Sequence, residues 1–300
     1  MPHSLNEYLE LREKKNVSVL NIFFTESYSK EDLFNELSSY REEKLSASMM
    51  FALGDCYYSK FKLKNDNVRA MEWYKRASEL GHACASNALG IGYLFALGVD
   101  RNYEEAIRLF NVASEGGSLS AYCNLGYCYQ MGVGVIQDND KAFMYYMKAK
   151  DYNVAMYNIG SCYMGGLGVD KDFEEGIRWH QKAAEEGYLI AIVRLAGRYL
   201  NGQGVTRDYD KAYKYFLMGA ELEDARCMYE ISRMYYRGDI GSSEDEAIPW
   251  LIKAAETGCV DAMWLLGKCY QGRVFNNFYD EEKSKYWLDK AYASGYKENK

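Results

Sequence analysis

Residues 155–169 read AMYNIGSCYMGGLGV, and residues 172–187 follow as DFEEGIRWHQKAAEEG. The first stretch places Ile159, Gly160 and Tyr163 on one helical face and ends in a glycine pair, Gly166 and Gly168, followed by Val169. Glycine takes the left-handed backbone that ends a helix without a Cβ penalty. The second stretch opens on Asp172, an N-cap residue, and carries Gly176, Trp179 and Ala183 at offsets of 0, 3 and 7, which share one helical face. Two antiparallel helices joined by a glycine turn are the predicted unit.

The unit recurs along the chain. Its anchor, an aliphatic residue, a small residue and a tyrosine four positions on, appears from Leu53, Leu89, Leu125, Ile159, Leu195, Ile231 and Leu266. The intervals are 36, 36, 34, 36, 36 and 35 residues, and the tyrosine is present every time. The small residues of the second helix recur at Ala70, Ala106, Ala142, Gly176, Ala212, Ala247 and Ser284. Three residues on come Trp73, Leu109, Tyr145, Trp179, Tyr215, Trp250 and Trp287, expected to be core. Asp66, Asn102, Asp138, Asp172, Asp208, Ser243 and Asp280 stand as N-caps, with Glu105, Glu175 and Glu246 expected to complete capping boxes. A fixed period of this length is the signature of a solenoid, in which each copy is stable because it stacks on its neighbours.

The pattern closely resembles the Sel-one-like repeat (SLR) family, a cousin of the tetratricopeptide repeats. The resemblance covers about five-sixths of the chain. It implies an all-α, right-handed α-solenoid (superhelix) of about seven antiparallel helix–turn–helix repeats, and an adaptor or scaffold role in assembling protein complexes. The repeats are placed at 47–82, 83–117, 118–152, 153–187, 188–222, 223–258 and 259–296. Residues 1–46 are read as a helical cap or a decayed repeat, with Leu33, Leu37 and Tyr40 on one face, and 297–300 as a polar tail. The apolar stretch 17–24, VSVLNIFF, receives no assignment. Repeats three and five lack the glycine that ends the other second helices, and the link at Asp151–Asn153 is two residues shorter; a local change of stacking angle is expected there. Pro249 interrupts the hydrogen-bond ladder of its helix and predicts a small kink.

Composition narrows function. The chain has 300 residues and a net charge of −7, so no nucleic-acid partner is expected, because phosphate binding needs a basic surface. No run approaches the ~20 apolar residues of a membrane helix, and no leader-like segment opens the sequence; a cytoplasmic protein without membrane insertion is the expectation. Cys56, Cys128, Cys162 and Cys269 share one packed repeat position and read as small core residues. Secreted bacterial SLR relatives carry a cysteine pair bridging successive repeats; the matching positions here, such as Ala77 with Ala85 and Ala113 with Ala121, are alanine. His3, His82 and His180 have no ligand spacing, and His180 occupies a packing position. The Gly-x-Gly turns follow helices and lack a phosphate-binding lysine. Asn16 opens a formal glycosylation sequon. Neither catalytic residues, nor a metal set, nor a cofactor is assigned.

The expected activity is therefore a non-catalytic protein–protein interaction scaffold. A cell-wall-directed, β-lactamase-like hydrolase, as proposed for secreted SLR relatives, and a regulatory subunit or pathogen or viral effector stand as alternatives. By analogy with tetratricopeptide superhelices, first helices line the partner-binding face at positions two before, two after and five after the anchor. The candidate partner-binding residues are Tyr157, Arg226, Tyr229, Arg233, Tyr236, Trp264 and Lys268. Aromatic groups and arginine concentrate interface energy, and arginine holds carboxylates in a fork, so the predicted partner is an acidic or C-terminal peptide. Self-association through the solenoid ends is the other partner considered.

Overall fold

The computed structural model describes residues 30–58, 66–241, 243–272 and 279–297. The stretch 17–24, Asn16 and His3 lie outside them. Among the described residues there are 15 α-helices, one short 3-10 helix at Glu42–Lys44 and no strand. The chain forms two compact units, residues 1–172 and 173–300. The first unit holds α1 (Lys30–Ser39), α2 (Ala47–Tyr57), α3 (Asn67–Glu79), α4 (Ala83–Phe95), α5 (Tyr103–Glu115), α6 (Leu119–Met131), α7 (Asn139–Lys148) and α8 (Asn153–Gly165). The second holds α9 (Phe173–Glu185), α10 (Leu189–Asn201), α11 (Tyr209–Glu221), α12 (Ala225–Arg237), α13 (Glu244–Glu256), α14 (Val260–Tyr270) and α15 (Glu281–Ala293). Even-numbered helices from α2 on are the first helices of the repeats, and odd-numbered ones from α3 on are the second.

Each second helix starts on its N-cap. Asp66, Asn102, Asp138, Asp208, Ser243 and Asp280 accept the N–H three residues on, at 2.9–3.2 Å. The N-cap's own N–H donates to the carbonyl of the anchor tyrosine, as from Asn102 to Tyr93 (3.0 Å) and from Asp172 to Tyr163 (2.9 Å). This bond recurs in repeats one to five and in repeat seven, and in repeats two and four it displaces the reciprocal half of the expected capping box. Glu105 and Glu175 instead turn to Arg108 and Arg178, each at 2.7 Å.

The small residues behave as the pattern requires: Ala70, Ala77, Ala106 and Ala113 are fully buried. The expected core at offset 3 holds at Leu109 and Trp287, which are buried, but in repeats one, three, four, five and six it is shifted by one residue. Tyr74, Phe110 and Tyr146, at offset 4, are at most 3% exposed and lie against Gly54, Gly90 and Gly126 of their own first helices. Trp73, Tyr145, Trp179 and Trp250, at offset 3, are only half-buried. Each has a cation three residues on over its ring: Arg76, Lys148, Lys182 and Lys253, at 4.2–5.2 Å.

Repeats stack through the turns. The second glycine of each turn, Gly98, Gly134, Gly168 or Gly204, has φ near +70° and rests on the first residue of the preceding repeat's second helix, Asn67, Tyr103, Asn139 or Phe173. The valines behind them, such as Val99 and Val135, pack into the interhelical core.

The anchors also show an alternation that the sequence reading passed over. In repeats one, three, five and seven, residue N3 of the second helix is a cation (Arg69, Lys141, Lys211 or Lys283). It pairs with the N-cap aspartate and lies over the anchor tyrosine at 5.2–5.7 Å. The Lys141 N–H, with its ammonium, holds the Asp138 carboxyl below the usual carboxylate range. In repeats two, four and six N3 is Glu105, Glu175 or Glu246, so the charge at N3 alternates from one copy to the next.

At the N-terminal end, Leu33 and Leu37 of α1 pack with Met49, Leu53 and Cys56 of α2. Tyr40 lies just past α1 and is 40% exposed, so it does not share their face. In repeat three, α7 has 10 residues where its counterparts have 13. α13 runs unbroken through Pro249. In repeat five the position held elsewhere by Gly81, Gly117, Gly187 and Gly258 is Glu223, forced to φ +59°. A left-handed non-glycine residue costs about 1–2 kcal/mol, and glycine's extra chain entropy returns part of that. Glu223→Gly is expected to stabilise the protein by about 0.5–1 kcal/mol, read as a higher urea midpoint at unchanged slope.

Candidate interaction surfaces

In repeats two to seven a first helix leaves four repeat positions unburied: five before, one before, two after and six after its anchor. In the first unit, neighbouring first helices touch, and Asn124 Nδ2 donates to Asn87 Oδ1 at 2.7 Å. Asn87 and Cys123, two before their anchors, are buried at that seam, as is Leu94. Those positions are not open to a partner.

The residues singled out in sequence divide between the units. Tyr157, half-buried on α8, belongs to the first unit, and the other six belong to the second. On α12, Arg226, Tyr229 and Arg233 follow one another at helical spacing. Arg226 is exposed and has no ion-pair partner among the described residues. Arg233 Nη1 is engaged by both carboxylate oxygens of Glu230, at 2.8 and 3.0 Å, and the guanidinium lies 5.5 Å from the Tyr229 ring. Burial raises the Tyr229 hydroxyl pKa, and Arg233 opposes the shift. Tyr236 is 51% exposed. On α14, the Trp264 ring stacks on Tyr296 (centroids 5.0 Å apart, 16° between planes), with Lys268 at 5.3 Å. Its indole N–H has no acceptor among the described residues.

Two functional-looking cations were missed: Arg194 on α10 and Arg237 on α12, both exposed and without an ion-pair partner among the described residues. Arg226, Arg233 and Arg237 sit at i, i+7 and i+11, a single stripe that was readable as helical periodicity. The outward positions of α10, α12 and α14 carry Arg194, Arg226, Arg233, Arg237 and Lys268 against Glu230 and Asp261. This face is basic on a chain of net charge −7.

Burial pushes the Cys123 thiol up to about 12 and those of Cys128 and Cys162 up to about 11, which withholds the reactive thiolate. None of the eight cysteines forms a disulfide. His82 is committed to structure: its Nδ1 accepts the Ala85 N–H at 3.1 Å and caps α4. His180 is buried at the offset-4 ring position of α9. Among the described residues, no three His, Cys, Asp or Glu side chains converge as a metal set. No described helix is long and apolar enough to cross a membrane.

A family model of the Sel1 repeat matches the chain seven times, at residues 47–82, 85–118, 119–151, 153–188, 189–224, 225–259 and 260–296. The chain belongs to the Sel1 repeat family. A Sel1 repeat protein from Oxalobacter formigenes, solved by crystallography, superposes with a TM-score of 0.62 at 29% identity, covering 80% of this chain and 98% of that one. Protein sel-1 homolog 2 of Homo sapiens is 32% identical over 110 residues, 37% of this chain and 15% of that protein. The ERAD-associated E3 ubiquitin-protein ligase component HRD3B of Arabidopsis thaliana is 30% identical over 94 residues, 31% of this chain and 15% of that protein. This Sel1 repeat chain thus spans about 15% of the length of those curated relatives.

Proposed function

We propose that this Sel1 repeat protein is a non-catalytic scaffold whose second unit holds an acidic segment of a partner protein. The observation that carries the reading is the basic first-helix face of α10, α12 and α14. Uncompensated arginines on an acidic chain attract carboxylates and speed their encounter. Membership of assemblies supports the same role, since one relative is described as a ligase component. Cysteines that form no disulfide and are mostly buried suit a reducing compartment such as the cytosol and favour this reading over the exported-hydrolase alternative.

Arg226 and Arg237 are the informative substitutions, because Arg233 also serves Glu230. A capped, Asp/Glu-rich peptide library is titrated against the full chain by fluorescence polarisation. Arg226→Ala with Arg237→Ala should weaken acidic peptides about tenfold, equivalent to ~1.4 kcal/mol, with the remaining binding falling as salt rises. Acidic peptides that bind the double variant as tightly as the parent refute the assignment.

A further inference from the structure

We propose that the first-helix face of repeats two to four, on α4, α6 and α8, is a separate docking surface for an extended, uncharged, apolar segment of a partner protein. The proposal shares with the preceding one the reading of first helices as working faces, but it rests on a different unit and on opposite chemistry.

These three helices have 13 residues each and contain not one Asp, Glu, Lys or Arg, in a chain that is 26% charged. Solvated helix faces carry charge, and the second helices of the same repeats do so, with Glu104, Glu105, Arg108 and Glu115 on α5 alone. Packing does not impose the neutrality. The repeat position of Asn124 holds Arg194 in α10, and that of Met131 holds Arg237 in α12, in the same fold. None of the outward residues of the three helices is buried, and the face leaves Phe95 52%, Tyr127 40% and Met131 59% exposed. Apolar surface of this kind, rimmed by polar groups, marks an interaction site.

The centre of the face supplies amides. Asn124 and Asn158 occupy the same position in successive repeats. Asn124 is oriented by the bond it donates to Asn87, and Asn158 has no hydrogen-bond partner among the described residues. A side-chain amide both donates and accepts, which matches the N–H and C=O of an extended backbone. Packed helices lie about 8–10 Å apart, close to three residues of extended chain, so the three repeats span roughly six or seven residues. The occupant must be neutral, because a charge brought onto this face loses water and meets no counter-charge.

The test uses the full chain and a capped, charge-free heptapeptide library of Leu, Phe, Ser, Asn and Gly, beside the acidic library. Charge-free peptides should bind with affinity unchanged between about 0.05 and 0.5 M NaCl, since no ion pair is available to screen. Tyr127→Glu with Met131→Glu should weaken them about tenfold while Arg226→Ala with Arg237→Ala leaves them untouched. The thermal melt of the Glu variant should match the parent, because charge is accommodated at the equivalent positions of the second unit. Failure of every charge-free peptide overturns this proposal, whereas failure of the acidic set alone overturns only the preceding one. Sedimentation showing a dimer that Tyr127→Glu and Met131→Glu dissociate also overturns it, by assigning the face to a second copy.

Discussion

Gly168→Ala should destabilise the protein by about 2–5 kcal/mol, well beyond a typical surface change. Two costs add. Gly168 holds φ +69°, a conformation that charges a non-glycine residue about 1–2 kcal/mol. Its missing side chain is also where the turn of repeat four meets repeat three: a Cβ there would overlap the Asn139 carbonyl and lie 3.0 Å from Asp140 Cα. Those are backbone atoms at the start of α7, so relief requires the turn to lift off the preceding repeat, an overpacking cost of about 1–3 kcal/mol. Gly117→Ala is the control, since Gly117 has φ +88° and nothing within 4 Å of the added carbon. Urea midpoints at matched slope separate the two contributions. Equal losses at Gly168 and Gly117 would mean that the turn is not seated on its neighbour. In a solenoid the neighbour interface supplies much of the stability, so the larger loss at Gly168 reports on the stacking itself.

Much of this arrangement was legible from residues 155–187 alone. The glycine pair, the N-cap aspartate and the small residues at offsets 0 and 7 each have one physical meaning, and all take the predicted places. The ring position did so only at Leu109 and Trp287, for a geometric reason. On a helix advancing 100° per residue, offsets 3 and 4 flank the line joining offsets 0 and 7 on opposite sides, each about 50° away. Period therefore cannot choose between Tyr145 and Tyr146. The choice is made by Gly126 across the hairpin, which leaves room for a ring on one side only. The same ambiguity bears on the expected groove positions: Asn87 and Cys123 are buried at the seam between first helices, while Arg194 and Arg237 are exposed. Arg233 is a different case. Its carboxylate partner, Glu230, stands three residues away in sequence, and that spacing already signalled an internal ion pair. The paired-repeat alternation was also readable, in Asp-x-x-Lys at repeats three, five and seven against Asn102-x-x-Glu105 in repeat two.

Tyr146→Ala and Tyr145→Ala, adjacent residues of α7, should differ severalfold in cost. Tyr146 is 1% exposed, lies over Gly126 and donates its hydroxyl to Gln130 Oε1 at 2.9 Å. Removing such a ring leaves a cavity in close-packed surroundings and should cost about 3–5 kcal/mol. Tyr145 is half-buried, stacks on Tyr129 at 5.5 Å and carries Lys148 at 5.2 Å. Losing those contacts should cost about 1–2 kcal/mol. A second-site change sharpens the comparison. In the parent, a Cβ at Gly126 falls 2.5 Å from Tyr146 Cε1, so Gly126→Ala should destabilise by about 1–3 kcal/mol. Once Tyr146 is alanine the clash is gone, and alanine in a helix interior is favoured over glycine by about 1 kcal/mol. Gly126→Ala should then turn from harmful to helpful. That reversal is a coupling between touching residues that only a double-mutant cycle detects. If the two changes simply add, the ring of Tyr146 does not lie on Gly126, and the offset-4 core is wrong.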